Sequence, residues 1–430
     1  MTKLGYKMTE IGEIPEEWRV VRIGEILNMK RGYSYSGNEI TRESSTNIRI
    51  ININDFDKES GWKKPAEPLY LQSSSLPKRF QLKESDLVIA NTDMSKGLII
   101  GSPLLIDSID DDLSFIFSSD LTKLSPVGEE LDTKFLYYYF SGNNYRSIVL
   151  TFAQGTNVLH LNHDLYKRLQ IVVPPLNEQQ KITDILSTAD EAIQKVNEEI
   201  TLTEKLKKGL MQTLLTKGIG HTKFKMTEIG EIPEEWKLVE IGDNKVSELI
   251  MGQSPPSSSY NTSGKGIPFL QGNADFGQIY PTPRIYCTKP LKVAEKGDIL
   301  LSVRAPVGEL NIAAFKCVIG RGLAAIRCKD NKTDCKYLYY YLKYSVNRLR
   351  SMSTGSTFKA VGKDILSHFE ICLPDYEEQQ KIAEILTTVD YKLELLRNKK
   401  TYLERIKKGL MNDLLTGKVR VNINTSEGEN

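Results

Sequence analysis

Several short stretches of the 430-residue chain contain residue types that chemistry could use. SPPS (254–257) and VPPL (173–176) resemble the Asp/Asn-Pro-Pro-Tyr/Phe loop with which amino-group methyltransferases hold their target. Both lack the acid or amide that does the holding. GSTFKAVGKD (355–364) looks like a phosphate loop, but the glycine spacing is wrong and no Ser or Thr follows Lys363. PDYEEQQK (374–381) places its acids at a helix start, whereas metal nucleases present theirs from strands. No G-x-G-x-x-G follows an expected strand. His160 and His163 could share a helical face, yet no Cys or acidic cluster accompanies them, so they read as structural. The five cysteines, Cys287, Cys317, Cys328, Cys335 and Cys372, form no CxxC pair and read as free thiols. No catalytic constellation and no metal site emerge, and the chain reads as a non-enzyme.

The elements that would position a binding surface are more informative. The length allows two or three domains, each with its own core. No apolar run approaches the roughly 20 residues of a membrane helix. The N-terminus, MTKLGYKMTE, lacks a signal segment, so a cytoplasmic address is expected. The net charge of +2 conceals an asymmetry: residues 26–173 hold 16 Lys and Arg against 18 Asp and Glu, whereas 244–373 hold 18 against 9. The second region suits a polyanion such as nucleic acid, or is simply a solvated basic surface. The first has a basic spot at Lys30 and Arg31 and an acidic cluster at 107–112.

The twelve residues KMTEIGEIPEEW occur at 7–18 and again at 225–236. NEQQKITDILSTAD (from Asn177) returns as EEQQKIAEILTTVD (from Glu377), and LKKGLMQTLLT (from Leu206) as IKKGLMNDLLT (from Ile406). Weaker echoes are FLYYYF (from Phe135) with YLYYYL (from Tyr337), and QGTN (from Gln154) with TGST (from Thr354). The chain is a tandem duplication whose period is too long for a solenoid.

After Pro175 and Pro374 each copy runs without Gly or Pro until Gly209 and Gly409. Ile182, Ile185, Ala189, Ile193, Val196, Leu206, Leu210 and Leu214 form a helical stripe, matched by Ile382, Ile385, Val389, Leu393, Leu396, Ile406, Leu410 and Leu414. Long coiled-coil helices over 174–216 and 374–416 follow, each roughly 60 Å. If repeats share environments, the second helix ends beside residues 7–18, with Ile11, Ile14 and Trp18 packed there and the carboxylates outside. The expected fold is mixed α/β: two heads separated by two antiparallel helices in a pseudo-twofold repeat. The domains are 1–173, 217–373, the two helices, and a tail at 417–430. Within the heads, 48–54, 86–90, 298–303 and 323–328 read as strands. The tyrosine-rich echoes read as helices packing on a sheet.

This combination, EIPEEW twice, PLNEQQKI with PDYEEQQKI, and KKGLM before LLT twice, resembles the specificity subunit of type I restriction–modification systems over nearly the whole chain. The resemblance implies that the heads are target recognition domains, each reading half of a split double-stranded DNA site. It implies helices that set the spacing and dock two DNA methyltransferase (modification) subunits, to which restriction subunits can add. S-adenosylmethionine then belongs to the modification subunit, with no cofactor in this chain. Candidate DNA contacts in head one are Lys30, Arg31, Tyr33, Asn91, Thr92, Gln154, Thr156 and Asn157. In head two they are Gln253, Ser254, Ser302, Arg304, Thr354, Ser356, Thr357 and Lys359. The 154–157 and 354–357 loops also suit helix caps. The alternatives are a scaffold whose heads bind protein, and an enzyme with an unfamiliar site.

Overall fold

The computed structural model describes residues 4–43, 46–57, 61–62, 67–73, 77–94, 97–106, 112–352 and 360–422. They form two compact units, Met1–Lys195 with Lys400–Asn430, and Val196–Lys399. Two helices of 39 residues, Leu176–Leu214 and Tyr376–Leu414, each begin in one unit and end in the other.

The repeated twelve residues fold the same way twice. In the first unit strands Tyr6–Thr9 and Gly12–Pro15 form an antiparallel hairpin. Its turn is closed by the Thr9 hydroxyl on the Gly12 carbonyl at 2.7 Å, with Gly12 at φ +114°. That positive φ is why glycine stands there. A second turn, in which Trp18 N–H donates to Pro15 O at 3.0 Å, swings the indole inward. Ile14 and Trp18 are buried, whereas Ile11 is exposed, contrary to expectation. Ile11 sits in the hairpin turn, where no element covers it. The second copy repeats this with Phe224–Thr227 and Gly230–Pro233, burying Ile232 and Trp236.

The end of the second long helix lies where the repeat logic puts it: Leu414 and Leu415 share a core with Ile14 and Trp18, and Tyr6 Oη donates to Gly417 O at 2.8 Å. Correspondingly, Leu214 and Leu215 pack with Ile232 and Trp236 in the second unit. Inside each unit the two helical halves run antiparallel. In the first, Glu178 meets Arg420, and further along Asp190 meets Lys407. In the second, Glu378 meets His221 and Asp390 meets Lys207. Tyr138 Oη donates to Asp190, and Tyr340 Oη to Asp390, both at 2.8 Å, so the same Tyr–Asp–Lys trio sets the register twice.

Among the buried and half-buried positions of the first long helix, 182, 186, 189, 193, 196, 200, 203, 207, 210 and 214 lie alternately four and three residues apart, with 183, 187, 190, 192, 197 and 211 covered beside them. The alternation of four and three is a coiled-coil seam. Ile185, Leu206, Ile385 and Ile406 lie outside it and are exposed. The expected stripe included them because apolar character alone does not separate adjacent seam positions. Thr203 and Lys207 occupy the seam instead.

Each head contains the same four-stranded antiparallel sheet: Pro103–Leu105, Leu87–Ala90, Leu121–Pro126, Leu27–Arg31 in one, and Leu310–Ile312, Ile299–Ser302, Leu323–Cys328, Ser247–Met251 in the other. A second sheet in each holds one parallel pair, Ser114–Phe117 with Ile48–Ile51, and Cys317–Ile319 with Ile267–Leu270. The tyrosine-rich segments are helices, Thr133–Ser141 and Cys335–Tyr344, capped by Asp132 and Asp334. Phe135, Leu136, Tyr138 and Phe140 pack between the sheet (Leu87, Ile89, Leu124) and the long helix (Ile182, Leu186). Each such side chain contributes roughly 1.5–3 kcal/mol by burial.

Two readings need correction. Cys328 and Cys335 are joined as a disulfide, leaving Cys287, Cys317 and Cys372 free and buried. The strand end and the helix start fold back until their Cα atoms are 5.6 Å apart, which a search for CxxC spacing does not see. His160 and His163 share no helical face, because His160 lies in strand Leu159–Leu161 and His163 opens helix His163–Arg168. No helix among the described residues is long and apolar enough to cross a membrane.

Candidate nucleic-acid interface

The repeated EQQ residues hold the frame. Glu178 accepts Trp18 Nε1–H at 2.9 Å, and Glu378 accepts Trp236 Nε1–H at 2.9 Å. Gln179 accepts the Asp132 N–H and donates to Pro174 O, as Gln379 does with Asp334 and Pro374. These acids and amides are buried structural groups.

In head one the candidates gather along one rim of the four-stranded sheet. Arg31 ends strand Leu27–Arg31 opposite Thr122, and its Nε donates to Ser119 O at 2.9 Å. Gly32 follows because a Cβ there would sit 2.1 Å from Ser118 O. Asn91 N–H donates to Asp120 O at 2.7 Å and the Thr92 hydroxyl to Asp120 Oδ1 at 2.8 Å. Thr92 pairs with His160, and His160 with Gln154. Tyr33 bridges to Ser118, and its hydroxyl donates to Glu39 at 2.9 Å, a hydrogen bond that raises the phenol pKa. Arg31, Tyr33, Asn91, Thr92 and Gln154 are thus brought together, with Thr156 and Asn157 exposed in the turn beyond. Lys30 alternates to the other side of its strand, donating to Arg79 O beside the Phe80 ring.

Asn91 and Thr92 turn inward, only 5% and 6% exposed. Asn91 Oδ1 and Ser118 Oγ are buried without a hydrogen-bond partner among the described residues. His163, set aside as structural, lies near this rim; burial first, then Arg31 and Lys167, lower its pKa and favour the neutral ring.

Head two presents the same backbone with other side chains. Gly252 takes the place of Gly32, its absent Cβ 2.1 Å from Gly320 O. Gln253 N–H donates to Ile319 O at 3.0 Å, and Ser254 Oγ accepts Arg321 N–H at 3.2 Å. Arg304 bridges to Ala360 as Thr92 pairs with His160, and it is exposed. Ser302 is buried; its hydroxyl donates to Pro306 O and accepts Glu309 N–H, closing its own turn. Thr354, Ser356, Thr357 and Lys359 lie outside the described residues. Arg321 joins this rim without having been singled out, although its setting between Gly320 and Gly322 marks an arginine on a tight loop. Where head one carries Thr92, Ser119 and Asp120, head two carries Arg304, Arg321 and Gly322, which agrees in sign with the charge asymmetry between the two regions.

Among the described residues no group of three His, Cys, Asp or Glu side chains is placed to hold a metal. The chain matches the type I restriction modification DNA specificity domain over residues 15–204 and 233–405. It is 39% identical to the type I restriction enzyme MjaX specificity subunit of Methanocaldococcus jannaschii over 97% of both chains. It is 30% identical to the MjaVIII specificity subunit of the same organism, covering 95% of this chain and 94% of that one. A solved chain from a study of complex assembly and conformational transition of the type I R-M system superposes with TM-score 0.56 at 29% identity, covering 94% and 99% of the two chains. The chain belongs to the type I restriction–modification DNA specificity family, a family of non-catalytic DNA-recognition subunits.

Proposed function

We propose that each head reads one half of an asymmetric, bipartite double-stranded DNA site, and that the long helices set the unread gap between the halves. One observation carries this reading: the same strand frame occurs twice, its exposed rim carrying Arg31 and Gln154 in one head and Gln253, Arg304 and Arg321 in the other. Equivalent frames with unlike side chains suit two unlike half-sites. On this reading residues 1–173 and 217–373 are the target recognition domains, and 174–216 and 374–416 the spacers. The helices dock two methyltransferase subunits, which bring S-adenosylmethionine, in a cytoplasmic core to which restriction subunits can add.

The direct test is a genome-wide methylation map from cells expressing this chain with its modification subunit. A split asymmetric motif that disappears when the chain is omitted is expected; a continuous motif contradicts the proposal. Inserting about one helical turn, roughly four residues, near Lys195 and Leu395 together lengthens the gap and spares both half-sites. An altered half-site after that insertion argues against spacer helices.

A further inference from the structure

Residues 244–373 contain six arginines, and four are committed within the head. Arg284 pairs with Asp275, Arg327 with Asp298, and Arg350 with Glu309, while Arg348 donates to Glu370 O. Arg304 and Arg321 are different: both are exposed, and neither guanidinium has a hydrogen bond or ion pair among the described residues. The fold brings these two together. Val303 N–H donates to Gly322 O at 2.9 Å, so the arginines flank a single backbone hydrogen bond. Both main chains are held: Val361 N–H donates to Val303 O at 2.8 Å, and Arg321 N–H donates to Ser254 Oγ. In head one, Asn91 N–H donates to Asp120 O, which places Thr92 and Ser119 at the equivalent positions.

Resting on the reading of the chain as a DNA-recognition subunit, we propose that Arg304 and Arg321 read guanine in the major groove of head two's half-site. An arginine fork matches guanine O6 and N7 in a way that a lysine ammonium does not. A fork without an internal partner among the described residues, on a fixed backbone, offers that match without first breaking such a pair. Head one, with Thr92 hydrogen-bonded to Asp120 and Ser119 in place of Arg321, does not use this device.

The test uses the full chain co-expressed with its modification subunit and single-molecule methylation sequencing. In the wild type, one half of the motif contains at least one obligatory G·C pair. R304A and R321A each make one G·C position of that same half degenerate, with discrimination falling roughly 5- to 150-fold, and leave the other half unchanged. R304Q keeps a planar polar side chain and moves the preference at its position from G toward A, a readout that remains should R304A not assemble. A half-site without any G·C pair overturns the inference, as does an unchanged motif in all three variants. So does a uniform loss across all sequences, which assigns the arginines to phosphates. Absence of any split motif in the wild type strikes the parent reading instead.

Discussion

Arg420→Ala tests what fastens the hairpin to the helix ends in the first unit. Glu178 is fully buried, and its carboxylate accepts Trp18 Nε1–H at 2.9 Å, Arg420 Nε–H at 2.7 Å and Arg420 Nη2–H at 2.9 Å. Arg420 also reaches Glu17 at 2.7 Å, and hydrogen bonding to Glu178 is the first cause raising its pKa, so it stays charged at any working pH. Removing it leaves a buried carboxylate without its cation, which costs about 3–5 kcal/mol at a fully buried site. The Arg420 side chain is 29% exposed, so water partly replaces it and about 2–4 kcal/mol is the expected cost. Glu178→Gln keeps an acceptor for the indole but turns an amide toward Arg420, costing about 1–2 kcal/mol. The double variant no longer buries a charge and recovers about 1–2 kcal/mol relative to Arg420→Ala alone. Hydrogen exchange measures this locally: the Trp18 amide, bonded to Pro15 O, loses about 1.5–3 orders of magnitude of protection in Arg420→Ala. Unchanged protection, or a double variant no better than the single one, would refute the claim that this arginine neutralises Glu178.

Two further outcomes are expected. Asp55 is buried beside Arg49, and desolvation outweighs that partner, pushing its carboxyl pKa up to about 6 from 3.8. The fold therefore favours the neutral acid. Its contribution to stability is fully present below about pH 4 and is lost as pH rises through about 6, up to ~3 kcal/mol in all. Comparing exchange protection of the Ile48–Ile51 strand in wild type and Asp55→Asn between pH 4 and 7 checks this; equal slopes contradict it. Reducing the Cys328–Cys335 bridge, a sequence separation of 7, removes about 2–3 kcal/mol of loop-closure stabilisation from the second unit. Thermal unfolding with and without reductant measures it, and the Cys328→Ser/Cys335→Ser variant should lose its sensitivity to reductant.

The frame was legible because it was written twice. Comparing the two halves located the repeated segment that forms the hairpin, though not its strands, together with both long helices and both tyrosine-rich helices, and placed the second helix end beside residues 7–18. Periodicity erred where a seam position is polar or a flanking one apolar. Lys207 lies in the seam because Asp390 and the Tyr340 ring receive it, and no single-helix pattern encodes that partner. The rim was harder to read. Choosing polar loop residues picked out Arg31 and Arg304, which lie exposed on the rim, but also Ser302, whose hydroxyl is spent on its own turn, and it passed over Arg321. Separating them needs to know which carbonyl each side chain meets, and that depends on strand register.

The pattern of identity between the halves has a mechanical cause. Each fastening combines three stretches of chain far apart in sequence: Trp18 with Glu178 and Leu414, or Trp236 with Glu378 and Leu214. A change in any one stretch leaves a buried indole or carboxylate unpaired unless the others change with it. The rim is held chiefly through its main chain. Thr92 and Arg304 pair by backbone with His160 and Ala360, Gly32 and Gly252 preserve the close approach of the adjoining strand, and the Thr92–Asp120 side-chain contact of head one has no counterpart at Arg304 and Gly322. Sequence can therefore diverge at the rim without disturbing the frame, which is what a protein that keeps its assembly and changes its target requires. The side-chain partner that differs between the fastenings, the Arg420 guanidinium in the first unit and the His221 ring in the second, lies nearest the glutamate oxygen that does not take the indole. There a change of partner leaves the indole–carboxylate contact in place.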